Sequence, residues 1–139
     1  MNVKELAKTT RQYLKKYSSR QGYKFSIRSD RNSIYISILK APFEAWKWDV
    51  IEKENELRED HMKLDIERRK LKRHEDVNHF HFKGYKHYTE KMMALLKDIH
   101  QFISKDQRTL VEDSDYGTVP TYYINISIGQ WDKPFEISN

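Results

Sequence analysis

Two runs of alternating isoleucine set the terms on which this chain folds. Ile34, Ile36 and Ile38 alternate with Ser33, Tyr35 and Ser37; near the other end Tyr122, Ile124, Ile126 and Ile128 alternate with Thr121, Tyr123, Asn125 and Ser127. Period-two patterning puts the large apolar side chains on one face of each strand, and that face needs a cover. A third run, Tyr23, Phe25 and Ile27 against Lys24, Ser26 and Arg28, precedes the first. The turn chemistry of Asp30, Arg31 and Asn32 between them makes a β-hairpin. Two amphipathic segments can supply the cover. Val3, Leu6, Thr10, Tyr13, Leu14 and Tyr17 fall at helical spacing, with Gly22 beyond their end, and Tyr88, Met92, Leu95, Leu96, Ile99, Phe102 and Ile103 form a wider stripe ending near Lys105. With 139 residues there is room for one core, so the expectation is a single α+β domain over 1–139. It has two layers, an antiparallel three-stranded sheet covered on one face by the first and last helices.

Between hairpin and last helix lies a charged excursion over about 43–76. Pro42 suits the first position of a helix, and Phe43, Val50, Leu57, Leu64 and Leu71 then recur every seven residues. Lys53, Asp60 and Glu67 occupy the places where a second apolar stripe would complete a coiled-coil seam. Trp46, Ile51, Met62 and Ile66 widen the single stripe, and Glu54 with Arg58, Glu59 with Lys63 and Asp65 with Arg69 stand four apart in the supporting order. A continuous helix to Arg73 would be about 46 Å long. It has to project, fold back or pair. Leu57, Leu64 and Leu71 are expected to meet either the helix near 88–103 or a second copy of the chain, as a homodimer through the long helix.

Several chemistries lose their residues at this stage. Cysteine is absent, which removes disulfides, thiolate metal sites and thiol nucleophiles. The four glycines, at 22, 84, 117 and 129, are too scattered for a phosphate loop or a nucleophile elbow. His74, His79, His81 and His87 match no zinc spacing, and Phe80 and Phe82 between them read as anchors of a connector over 77–84. The stretch 110–117, with Glu112, Asp113 and Asp115, reads as a solvated acidic loop, since it lacks the length and closing Glu of an EF-hand. Carboxylate pairs on the charged helix sit among compensating bases. A non-catalytic protein with no cofactor and no metal is expected. No apolar run approaches the ~18 residues of a membrane span, and the opening residues lack a signal-peptide pattern, so a cytoplasmic protein without membrane association is expected.

The charge is placed unevenly. Residues 1–40 hold ten Lys/Arg against two acids, 41–76 hold nine against eleven, and 77–139 hold seven against eight, so the first forty residues carry all of the net +5. On the sheet face away from the helices Lys24, Ser26, Arg28, Tyr35, Tyr123 and Asn125 would lie together. Basic groups and rings on a flat sheet suit single-stranded nucleic acid, while an ordinary solvated face or a dimer contact is the plain alternative. The candidate binding residues are Lys15, Lys16, Arg20, Lys24, Arg28, Arg31, Tyr35 and Tyr123. The basic run 68–73 is discounted, because a helix C-terminus favours cations without any ligand.

Two stretches, KFSIRSDRNSIYISI after the opening helix and YYINISIGQWDKPFEI near the end, resemble a large polyvalent-protein-associated domain of phages and conjugative elements. The likeness covers roughly 3–39 and 85–137: a strand over 25–28, a Ser-centred strand over 33–37 and a closing Gly-x-Trp-Asp-Lys-Pro segment over 129–134. This chain departs from the pattern after the second strand, where Leu39-Lys40-Ala41-Pro42 stands in place of a Trp-Thr-Asp-Gly-Pro segment. The resemblance implies an accessory protein of a mobile element in a bacterial host cell. Its implied role is counter-defence, inhibiting a host defence protein or nucleoprotein complex such as a CRISPR nuclease. It carries over no catalytic residues.

Overall fold

Asn2 starts the first helix, its side-chain oxygen accepting the Glu5 amide at 2.9 Å, and α1 runs Val3–Tyr13 with Val3, Leu6, Ala7 and Thr10 buried. A single 3₁₀ turn, Leu14–Lys16, replaces the last turn expected from the spacing, and Gly22 turns the chain at φ 94°. The computed structural model describes residues 2–107 and 121–138, with the backbone alone of 109–111 and 118–120. Strands β1 (Lys24–Asp30) and β2 (Ser33–Ala41) form the expected antiparallel hairpin, closed at Asp30 and Ser33.

The excursion after Pro42 is not one long helix. It folds back as α2 (Trp48–Glu56), a 3₁₀ turn (Asp60–Met62) and α3 (Ile66–Lys72). Three side-chain arrangements explain the break without proline or glycine. Asn55 closes the turn by accepting from the Leu64 amide (2.8 Å) and donating to its carbonyl (3.2 Å). Asp65 caps α3 through the Arg68 amide (3.1 Å), and Lys70 reaches across to Glu52 (2.7 Å). Folding back brings Trp48, Ile51 and Ile66 to the core, which one straight helix with a narrow stripe would not do. The seven-residue stripe is thereby dismantled: Leu57 and Leu71 face solvent rather than the helix near 88–103.

The expected connector becomes β3 (Glu75–Val77) and a 3₁₀ turn, Phe82–Gly84. Phe82 is buried as an anchor, but Phe80 is exposed. Thr89 caps α4 (Glu90–Ser104), which buries Met92, Leu95, Leu96, Ile99 and Ile103. Strands β4 (Thr109–Val111) and β5 (Thr118–Pro120) pair as a small separate sheet, so 110 and 111 are strand; Glu112, Asp113 and Asp115 of the expected acidic loop lie outside the described residues. The chain closes with β6 (Tyr123–Ile128) and β7 (Glu136–Ile137).

The main sheet is mixed and five-stranded, not antiparallel and three-stranded. Its order is β1-β2-β6-β3, with β7 continuing beside β2 beyond the end of β6. Strands β2 and β6 run parallel, in register from Ser33 opposite Tyr123 to Ile38 opposite Ile128. A parallel pair needs a crossover connection, and the whole of 42–122 serves as one. The architecture remains α+β. Among the described residues no helix is long and apolar enough to cross a membrane.

Three polar junctions lock the layers together. Asp98 on α4 accepts from Tyr13 (2.5 Å), Tyr17 and Lys16 (2.8 Å), which fastens α1. Burial pushes the Asp98 carboxyl up, but these donors outweigh it and hold it below the usual carboxylate value. Glu75 accepts from Trp46 (3.2 Å), Arg69 (3.1 Å), His87 (2.8 Å) and Tyr88, and its carboxyl is likewise held low against burial by His87 and Tyr88. At Arg73, in the left-handed region at φ 45°, the guanidinium donates to the Phe135 carbonyl (2.7 Å) and to Glu44 (3.1 Å), while its own carbonyl accepts the Phe135 amide (2.9 Å).

That last junction needs Gly129. At φ 69° it passes so close that a Cβ would stand 2.4 Å from the Arg73 carbonyl oxygen and 2.8 Å from the Phe135 amide nitrogen. Gly129→Ala therefore combines a disfavoured backbone angle with a clash on two bonded main-chain atoms, and is expected to destabilise the fold by about 2 kcal/mol or more. Urea unfolding of the variant beside the parent checks it.

Candidate functional site

The alternation that buries the isoleucines places a second set of side chains on the uncovered face of the sheet. Strand register arranges them in rows. Arg28, Tyr35 and Asn125 are cross-strand neighbours, as are Ser26, Ser37, Ser127 and Asp76 one step along, and Asp30, Ser33 and Tyr123 one step the other way. A groove of about 840 Å³ lies over the first two of these rows. Its β3 side is formed by His74, Asp76, Asn78 and Phe80, and its far end by the turn 130–133, where Gln130 and Lys133 exchange backbone hydrogen bonds (2.8 and 3.1 Å).

The floor is polar and ordered. Ser37 is buried, and its hydroxyl accepts from Ser127 Oγ (2.8 Å) and Gln130 Nε2 (3.1 Å). The Arg28 guanidinium lies 4.9 Å from the centre of the Tyr35 ring and makes no ion pair or hydrogen bond among the described residues. The rings are unusually open: Trp131 is 81% exposed, Phe80 79% and Tyr123 46%. Large apolar side chains in water are costly unless something covers them. A face with exposed rings, a guanidinium over a tyrosine and a hydroxyl floor can hold planar bases by stacking. In the lining Asp76 and Asp132 balance Arg28 and Lys133, so the groove carries no net positive charge from its Lys, Arg and Asp side chains, and Lys24 and Arg31 stand outside it.

The structure divides the expected binding residues. Arg28, Tyr35 and Tyr123 meet on this face, with Lys24 and Arg31 at the two ends of β1. Lys15, Lys16 and Arg20 do not join them. Lys15 and Lys16 follow α1 in the helical layer, and Arg20 lies in the 3₁₀ turn Ser19–Gln21. Lys16 is committed elsewhere: its hydrogen bonds to Asp98 and Tyr13 hold its ammonium above the ordinary lysine value. Arg31 takes φ 44° at the hairpin tip, a left-handed angle at which a side chain costs about 1 kcal/mol.

Trp131, Phe80 and Gln130 were not among the expected residues. The Gly-x-Trp-Asp-Lys-Pro segment carried a signal for the first, because a tryptophan in a short turn after a strand has no core to enter. The four histidines take separate partners. His87 bonds Glu75, His74 lies 3.4 Å from Asp76, the His79 ring meets that of Phe80 at a tilt of 36°, and His81 is exposed; among the described residues no three His, Asp or Glu side chains are grouped to hold a metal ion.

Comparison with protein-family models, with curated proteins and with solved structures gives no match. The groove is therefore interpreted from its own chemistry.

One consequence is a pH dependence on the β3 side. His79 lies 5.6 Å from His100 of α4, and His100 packs edge-on to Phe82. Burial lowers both imidazoles below the ordinary 6.5, and for His100 the charges of His79 and Lys83 add to it. A folded-state pKa below the unfolded one gives stability that is present above 6.5 and is lost as pH falls through the lowered values. Glu75 and Asp98, also depressed, lose their contributions only below the ordinary carboxylate range. The urea midpoint is expected to fall between pH 7.5 and 5.5, and His100→Gln to flatten that fall.

Proposed function

We propose that the protein is a non-catalytic binding module that lays a single-stranded nucleic acid along the open face of the sheet. The observation that carries this reading is that two exposed rings, Trp131 and Phe80, line one groove with the Arg28–Tyr35 pair, while Tyr123 stands open on the same face beyond it. Stacked bases would cover the rings, Asn125 and the serine row would meet base edges, and Lys24, Arg28, Arg31 and Lys133 would follow the phosphates. The setting is the cytoplasm.

The salt dependence separates this face from a diffuse attraction to the basic first forty residues. Four cations on a single strand give a slope of log K against log salt of about −3, whereas ten would give about −7. Fluorescence anisotropy with a labelled oligothymidylate over a salt series measures it. Trp131→Ala is expected to weaken binding roughly tenfold or more, since stacking on one ring contributes about 1–3 kcal/mol. Arg28→Glu is expected to cost far more than Glu56→Lys. Arg31→Gly should move two quantities in opposite directions, relieving the left-handed angle while weakening the oligonucleotide. No complex at low salt with any single strand would end this reading.

The mobile-element resemblance supports a second reading, a counter-defence protein that inhibits a host complex such as a CRISPR nuclease. The observation favouring it is the helical hairpin, where Leu57, Met62 and Leu71 are 88%, 55% and 81% exposed. Exposed apolar side chains suit a protein partner better than a phosphate backbone. Expression in defence-active cells should raise phage or plasmid survival, and Leu57→Glu with Leu71→Glu should abolish the gain while leaving the fold intact. Unchanged survival with the parent protein would remove this reading.

A further inference from the structure

The outer side of α4 carries a feature that neither reading uses. Glu90, Met93, Ala94 and Lys97 follow the i, i+3, i+4, i+7 spacing on the face opposite the buried stripe. With the start of α2 and the segment 83–88 they enclose a groove of about 700 Å³ in the helical layer, which shares no lining residue with the groove on the open sheet face. Its floor is apolar, made by Val50, Tyr85, Tyr88, Met93 and Ala94. Its rim is cationic: Lys47, Lys83, Lys86 and Lys97 stand against one acid, Glu90.

Among the described residues these four ammonium groups have no partner. Lys16, Lys40, Lys63 and Lys70 each hold a carboxylate, but no ion pair or hydrogen bond among the described residues engages the four rim lysines. An apolar channel within a cationic rim is the complement of one chemistry, an amphipathic segment with acids along its flanks. We infer that this groove is a second binding site, for an acidic amphipathic helix of a partner protein. Phosphates alone would have no use for the apolar floor. A bilayer surface needs a convex apolar contact, and this one is concave. Met93 gives the floor a side chain that adapts to the shape of an incoming anchor, in the manner of helix-in-groove recognition.

The probe is a fluorescein-labelled synthetic helix with Glu and Asp on one side and Leu and Phe on the other, beside a peptide of the same composition in scrambled order. Fluorescence anisotropy at 0.15 M salt, where the Debye length is about 8 Å, reads the binding. The ordered peptide is expected to bind at least tenfold tighter than the scrambled one. Lys47→Glu with Lys97→Glu, and separately Ala94→Trp to fill the channel, are each expected to weaken it at least tenfold. Both variants should keep the thermal midpoint and the oligonucleotide affinity of the parent, which separates this site from the open sheet face. Equal binding of the scrambled peptide, no effect of either variant, or binding of anionic phospholipid vesicles in place of the peptide would overturn the inference.

Discussion

The parallel pairing of β2 with β6 is the constraint on which the remaining structure depends. Antiparallel neighbours can be joined by two residues, as β1 and β2 are, but parallel ones require the chain to return to its starting end. Here the return takes 42–122. The charged excursion is thus the first part of a crossover rather than an appendage, and α4 is its last major part. Leading the chain over one face gives the isoleucines their cover and leaves the other face bare. The candidate groove exists because the helices of the crossover go to one side only, while its segment 74–80 walls the other.

What was legible in the sequence was the part set by local periodicity. The alternation around Ile34–Ile38 and Ile124–Ile128 identifies strands and assigns their faces, and the stripe from Met92 to Ile103 identifies α4 and its buried side. Periodicity is silent on direction. Nothing in an isoleucine run says whether its neighbour is parallel, and the three-residue β3 and two-residue β7 are too short to show any period. The seven-residue recurrence from Phe43 to Leu71 misled for a related reason. A stripe predicts a helix only if a partner surface lies along it, and Asn55 and Asp65 offered the backbone a better local arrangement. Of the residues on the open face, Arg28, Tyr35 and Tyr123 followed from strand parity. Trp131 and Phe80 did not, since they reach the groove from turns.

Charge was the other legible quantity, and its meaning changed with the fold. The ten bases of the first forty residues do not form one field. Lys16 is spent on Asp98, Lys40 lies 3.4 Å from Glu136, Lys15 and Arg20 lie outside the groove, and Lys24, Arg28 and Arg31 remain along β1. Farther on, Arg69 and Arg73 satisfy Glu75 and Glu44 where solvent is scarce. Ordering cations around partly buried carboxylates leaves fewer for ligands than composition implies.

The hydroxyl of Ser138 donates to the carbonyl of Gly22 at 2.8 Å, and β7 lies against the last residues of β2. The consequence is one of timing. β2 is made early in synthesis, yet its second edge stays unpaired until 123–137 have left the ribosome. Contacts that span nearly the whole chain raise the contact order and slow folding. During that interval Ile34, Ile36 and Ile38 are a nascent strand with an open edge, and a hairpin partner on one side alone must keep them from pairing with a neighbour.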